Sequence, residues 1–286
     1  MRSELVSSPN NMNILFIGDI VGSVGREMVR CHLPLLKSRY DIDLVVGNGE
    51  NAAHGKGITR RIYHQLISYG IDVMTMGNHT FAKSDLYNFI DEADRMVRPM
   101  NMAPVEYGRS VLIREVKGKR VAVVSLCGEI FMHDITDSPF RCMEDTLKRI
   151  DADIVLVDLH GEATSEKIAF AYAFAGRISA VVGTHTHVQT ADERIIKGTA
   201  AISDLGMCGA YTSVLGRDVN EIVTRFMTAA KTRYTIAEGP GIFCGAVVRI
   251  DDHNNQAVSI ERIQIRPQGA EQFELNLHDE SSEHAA

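Results

Sequence analysis

An α/β fold with two mixed β-sheets is the architecture this sequence predicts, and two observations predict it. Short runs rich in Val and Ile alternate with longer segments whose apolar residues recur at three-and-four spacing. That alternation is the signature of buried parallel strands joined by crossover helices. Three further places set strand-like runs on either side of a tight turn, and such hairpins do not fit one open, doubly wound sheet.

Taken in order, the strand-like runs are residues 14–17, 44–46, 73–76, 121–126, 154–157 and 180–182. Helical spacing covers roughly 25–40, 59–69, 84–93, 139–150 and 164–175. Pro34 lies inside the first helix and predicts a kink or a break, because proline removes one backbone donor and crowds the preceding turn. The first hairpin joins 111–116 to 121–126 through Lys117-Gly118-Lys119. A second excursion runs over 188–196 into Lys197-Gly198-Thr199, and a third sets 244–250 against 257–265 across Asp251-Asp252-His253-Asn254-Asn255. Residues 1–12 and 268–286 are polar and read as loose tails. Without a repeat or a Pro/Gly-rich linker between them, 13–267 reads as a single domain.

The chain has 286 residues, enough to bury a full core without covalent staples. Its net charge of −7 and its lack of any Lys/Arg block argue against binding long nucleic acid. A small nucleotide or a short RNA end remains compatible. Five cysteines, an odd number without a Cys-x-x-Cys pair, read as reduced thiols. No apolar run approaches the roughly 18 residues a bilayer requires, and no leader pattern opens the chain. The expectation is a cytoplasmic protein without a membrane partner; homo-oligomerisation stays open.

Polar residues fall at telling places. The predicted strands run out into Gly18-Asp19, Asn48-Gly49-Glu50-Asn51, Gly77-Asn78-His79, Asp158-Leu159-His160 and Gly183-Thr184-His185-Thr186-His187. Each alone has a plain reading as a turn residue, a helix cap or a satisfied core histidine. Together they put a metal-capable side chain at the carboxyl end of five strands, where parallel α/β sheets carry their sites. His185-Thr186-His187 is the sharpest piece, since alternate residues of an extended segment face the same way.

Asp19, Glu50, Asn51, Asn78, His160, His185 and His187 are therefore the candidate ligands. The set contains no cysteine, which excludes a closed thiolate zinc site. Mixed nitrogen and oxygen donors suit Fe, Mn, Zn or Mg. Seven donors exceed one four-coordinate ion and match two open ions that share a carboxylate, for which Glu50 is the natural bridge. Two divalent cations against Asp19 and Glu50 leave a charge that a hydroxide and a phosphodiester neutralise. Such a pair activates the hydroxide and clamps the phosphoryl oxygens. His79, beside a ligand without being one, is the candidate general acid, as imidazole titrates near neutral pH.

These residues, in this order, resemble the calcineurin-like metallophosphoesterases and most closely their YmdB-like branch, from about 13 to 267. The stretches Asp19-Ile20-Val21-Gly22, 158–167 and 183–192 carry the likeness. The resemblance implies a four-layer α/β/β/α sandwich, a dinuclear centre of Fe or Mn type, and hydrolysis of small phosphodiesters such as 2′,3′-cyclic nucleotides. It implies Asp19, Glu50, Asn51 and His187 around one ion, and Glu50, Asn78, His160 and His185 around the other, with His79 as the acid. Three positions depart from pattern. Val21 replaces a histidine of the wider superfamily, Glu50 replaces its bridging Asp, and Glu129 stands where the branch has a basic residue. If Glu129 lines the cleft, it bears on specificity.

Two rival readings differ in class. TIM-barrel amidohydrolases also use a His-x-His pair, but after their first strand, and hairpins fit a barrel poorly. A regulatory protein that binds RNA-processing partners or nucleotides, with hydrolysis secondary, would need the same residues.

Overall fold

The computed structural model of the protein describes residues 11–269 and residue 275. The first half runs β1 (Asn11–Ile17), β2 (Asp19–Ile20), α1 (Gly22–Tyr40), β3 (Leu44–Asn48), α2 (Arg60–Ser68), β4 (Val73–Thr75), β5 (Met96–Val97), β6 (Val111–Val116) and β7 (Lys119–Cys127). It continues with α3 (Pro139–Leu147), β8 (Ile154–His160), α4 (Thr164–Ala173), β9 (Ala180–Thr184), β10 (Arg194–Ile196), β11 (Thr199–Ile202), β12 (Met207–Ala210), α5 (Val219–Thr228), β13 (Gly241–Asp251) and β14 (Ala257–Ile265).

Two sheets result. One has the order β2-β12-β13-β1-β3-β4-β5, with β14 also paired to β13. Within it β1, β3, β4 and β5 run parallel, while β13 is antiparallel to β1, β12 and β14. The other has the order β10-β11-β9-β8-β7-β6, four parallel strands with an antiparallel strand at each edge. Both edge hairpins close on a Lys-Gly pair with positive φ at each residue, the turn geometry that matches strand twist.

The sheets stack face to face. Ile14, Phe16, Val46 and Val73 of the first meet Val121, Val123, Leu156 and Val182 of the second in one buried cluster. The alternate residues point outward: Leu15, Ile17 and Val45 pack under Val29, Leu33 and Leu36 of α1 and Ile62 and Leu66 of α2. On the far side Ala122, Val124 and Val157 pack under Met143 of α3 and Phe170 of α4. Strands covered on both faces carry no polar alternation, so their sequences read as unbroken apolar runs. Each fully buried aliphatic or aromatic side chain here contributes about 1.5–3 kcal/mol. The layers are therefore α/β/β/α.

Several expectations need correction. Helix α1 is continuous through Pro34. Pro34 and Arg30, whose carbonyl loses its donor, lie on the exposed face, where water replaces the missing bond, while Val29, Leu33 and Leu36 anchor the buried one. The segment 84–93 is not an α-helix. It forms a 3-10 turn at Ser84–Asn88 and loose turns thereafter, and a separate 3-10 turn at Thr80–Ala82 precedes it. Leu86, Phe89, Ile90 and Ala93 are buried as their spacing implied, but that spacing serves successive turns as well as a helix. Residues 188–193 are loop, pinned by the Gln189 amide, which faces the carbonyls of Leu205, Gly245 and Ile263; only Arg194–Ile196 pairs as a strand. Asn11 and Met12 belong to β1, Met12 being fully buried, and are not tail. The rest of the N-terminal tail, and the C-terminal tail apart from 268–269 and 275, lie outside the described residues. Among the described residues no helix is long and apolar enough to cross a membrane.

Candidate metal centre

The site lies where β1, β3, β4, β8 and β9 end side by side across the two sheets. Asp19, Glu50, Asn51 and His160 are buried, and Asn78, His79, His185 and His187 are partly so. The seven predicted ligands come together in two groups with Glu50 between them.

In the first group, His160 Nε2 lies 2.8 Å from Asn78 Oδ1, 3.1 Å from His185 Nδ1 and 3.3 Å from Glu50 Oε1. One ring nitrogen thus faces three acceptors, which a single proton cannot satisfy and a cation can. Glu50, His160 and His185 each offer a donor atom within 4.8 Å of the others. In the second group, Asn51 Nδ2 is 3.2 Å from Asp19 Oδ1, 3.0 Å from Glu50 Oε1 and 3.1 Å from His187 Nε2. As it stands this amide is a donor to both carboxylates; ligation through its oxygen requires a half-turn about χ2.

Hydrogen bonds on the far side of each ring assign the tautomers. His160 Nδ1 faces Thr184 Oγ1 at 2.9 Å, and Thr184 donates in turn to Asp158 Oδ1 at 2.7 Å. His185 Nε2 faces Glu162 Oε2 at 3.2 Å, and His187 Nδ1 donates to the Leu215 carbonyl at 2.9 Å. In each ring the outer nitrogen has an acceptor, which leaves the inner one to meet a cation, on His160 in place of the proton that its three acceptors attract. This outer fixing is how metal-binding histidines are held.

The pair His185 and His187 converges differently from the extended segment expected. Strand β9 stops at Thr184, and both histidines take positive φ, 105° and 65°. Such backbone is strained for a non-glycine residue and persists where surroundings hold it. Asp19 Oδ2 accepts from His185 N and Asp204 Oδ2 from Thr186 N, each at 3.0 Å. The turn sends His185 to one group and His187 to the other.

Electrostatics favour a cation. Burial opposes charge on His160, yet Glu50, Asp19 and Asp158 lift it to about 9. Burial also opposes charge on Glu50, and His160 and His79 nonetheless hold it well below the carboxylate range. His185 is driven to about 3 by burial and by His160. Gly77 keeps the space clear: a Cβ there would stand 2.3 Å from Glu50 Oε2 and 2.4 Å from His160 Nε2. Donor types, tautomers and this cradle fit divalent ions.

His79 is placed by its backbone N–H on Glu50 Oε2 at 2.9 Å and by Nδ1, 2.9 Å from Asn51 Oδ1 and 3.2 Å from Glu50 Oε1. It lines the cleft together with Glu50, Asn51 and His187. Glu129 does not; it is exposed, its N–H bonded to Glu166.

Sequence reasoning missed the residues behind the candidate ligands. Asp158 accepts from Thr75, Thr184 and Asn48, and the Lys167–Asp204 pair is buried at 3.0 Å. A carboxylate inside the apolar run Ile154-Val155-Leu156-Val157-Asp158 was the available signal, since it must be satisfied when buried.

A family model described as YmdB-like protein matches residues 15–263. The 2′,3′-cyclic-nucleotide 2′-phosphodiesterase of Bacillus subtilis (strain 168) is 48% identical over 259 residues, covering 89% of this chain and 97% of the relative. A crystal structure of a hypothetical protein from Thermus thermophilus superposes with a TM-score of 0.84 at 40% identity, covering 90% of this chain and 100% of that one. The crystal structure of a novel phosphatase from Mycoplasma pneumoniae gives 0.85 at 35% identity, covering 90% and 94%.

Proposed function

The chain belongs to the YmdB-like protein family, and on that premise we propose that it is a phosphoester hydrolase that opens small phosphodiesters, ribonucleoside 2′,3′-cyclic phosphates among them, at a two-metal centre. The observation that carries this reading is the convergence of three histidine nitrogens, each with its outer nitrogen hydrogen-bonded, on two groups that meet at buried Glu50. The Bacillus subtilis relative is named as a 2′-phosphodiesterase of 2′,3′-cyclic nucleotides, which supports this reading.

Asp19, Asn51 and His187 would hold one ion, Asn78, His160 and His185 the other, and Glu50 both; Fe or Mn suits this donor set. When bound, the ions supply a water of lowered pKa and a clamp on the phosphoryl oxygens. The chain's own part is positioning and proton transfer. Nδ1 of His79 lies 3.2 Å from Glu50 Oε1, a contact that a half-turn of the Asn51 amide leaves in place, so Nε2 is the nitrogen left to carry a proton into the cleft. Hydrolysis breaks the O2′–P bond, the hydroxyl of water joins phosphorus, and the His79 proton goes to the departing 2′-oxygen, leaving a 3′-phosphate; the proton released by the water passes to solvent, from which His79 is reprotonated. The five free thiols accord with a reducing, cytoplasmic setting.

Turnover of adenosine 2′,3′-cyclic phosphate by Mn-loaded protein, followed by phosphorus NMR with elemental analysis, tests this. Adenosine 3′-phosphate and two ions per chain are expected. The 2′-phosphate as product, or a single ion at full activity, would overturn it.

A further inference from the structure

The cleft beside the metal-facing side chains encloses about 400 Å³, within the range of small-molecule sites. Its lining includes Glu50, His79 and His187 from the candidate metal centre, and Arg217, Phe226 and Tyr234 from the segment that follows. Ile222, buried, anchors α5, and Phe226, one turn further along the same helix face, is 83% exposed. Tyr234 is 53% exposed. Two large rings left open to solvent beside a polar centre are a cost unless something covers them.

That segment is ordered in advance. Arg217 donates to the Tyr234 carbonyl at 2.8 Å and to the Gly55 carbonyl at 3.0 Å, tying this segment across the cleft mouth. The guanidinium carbons of Arg225 and Arg217 stand 4.9 and 5.9 Å from the centre of the Tyr234 ring, within cation–π range. The segment also bears on the metal side, because Leu215, within it, accepts the Nδ1 proton of His187. Aromatic faces flanked by guanidinium planes are how proteins hold unpaired nucleobases, and their positive charge complements a phosphate.

We propose that Phe226 and Tyr234 form a stacking platform for the nucleobase of the substrate, which makes the enzyme selective for nucleotides over base-free sugar phosphates. This rests on the reading of the site given above, and it deepens that reading from a diester class to a recognised base.

Calorimetry on metal-loaded protein tests it without requiring turnover. Adenosine 3′-phosphate should bind about five- to a hundredfold more tightly than ribose 3-phosphate, the span that stacking one base provides. Phe226→Ala should pull that ratio toward one, and Phe226→Trp should restore it. A wild-type ratio near one, or a ratio that Phe226→Ala leaves intact, overturns the platform. So does a changed sedimentation coefficient in Phe226→Ala with the ratio unaltered, which would make Phe226 a contact between copies of the chain. An intact ratio in a wild-type protein that hydrolyses no diester would uphold the platform and overturn the hydrolase reading instead.

Discussion

His160 Nδ1 lies 2.9 Å from Thr184 Oγ1, and the Thr184 hydroxyl gives its own proton to Asp158. The hydroxyl has one hydrogen, so donating to the carboxylate obliges it to accept from the imidazole. Asp158, buried and also hydrogen-bonded by Thr75 and Asn48, therefore sets which nitrogen of His160 faces Glu50.

Thr184→Val should break that relay. Metal affinity, measured by competition with a chelator, is expected to fall about 10- to 100-fold, the usual loss when an outer partner of a ligand goes. Stability should drop by about 1–3 kcal/mol, since His160 Nδ1 and one Asp158 oxygen lose a partner. Thr184→Ser should recover most of the affinity. Unchanged metal binding in the valine variant would show that the relay does not orient His160.

Glu50→Gln tests the shared carboxylate. Its oxygens face His160, His79 and Asn51 at 2.9–3.3 Å, and an amide cannot offer an anionic oxygen to each of two ions. Elemental analysis should find one ion or none, with the far-ultraviolet circular dichroism of the wild type. Chelation should lower the melting temperature of the wild type, because ions bound only by the folded state stabilise it. The same treatment should lower that of Glu50→Gln much less. Full metal content in the variant would remove Glu50 from the bridge.

Lys167→Met should be costly away from the cleft. Lys167 Nζ is bonded to Asp204 Oδ2 at 3.0 Å and to the Thr184 carbonyl at 2.8 Å in a buried setting. Removing it strands the Asp204 carboxylate that pins Thr186, a loss of about 3–5 kcal/mol in urea unfolding. The double variant Lys167→Met/Asp204→Asn should be more stable than Lys167→Met alone, as the stranded charge is gone. A double variant no better than the single one would mean that the charge is not what is lost.

Most of the layered fold was legible because strands buried on both faces leave continuous apolar runs, as in 14–17 and 154–157, and helices leave a three-and-four stripe. Helix α5 was missed although Val219, Ile222, Val223, Phe226 and Met227 recur at three-and-four spacing; Ile222 alone is buried, so the stripe does not mark a face packed in the core. Strand β12, Met207–Ala210, is four residues with no bounding signal. The candidate ligands were legible through chemistry at strand ends. What fixes them was not, because Thr184, Asp204 and the Leu215 carbonyl reach them only through the crossing of distant segments. The left-handed turn at His185 and His187 was hidden for a similar reason: nothing local demands it, and Asp19 and Asp204 impose it from other strands.

His79 separates chemistry from metal holding. Its Nδ1 and backbone N–H are committed to Glu50, so the side chain is rigid while Nε2 remains for the substrate. His79→Ala removes the proposed acid and none of the proposed ligands. Both ions should stay bound by elemental analysis, and the backbone N–H bond to Glu50 survives the substitution. For a diester with a poor alkoxide leaving group, kcat should fall by about 10²–10⁴-fold, the usual loss of a general acid. A nitrophenyl diester, whose departing oxygen is a weak base, needs little protonation and should lose far less. Equal losses on the two substrates would make His79 a residue that orients the phosphate, and loss of an ion would make it a ligand.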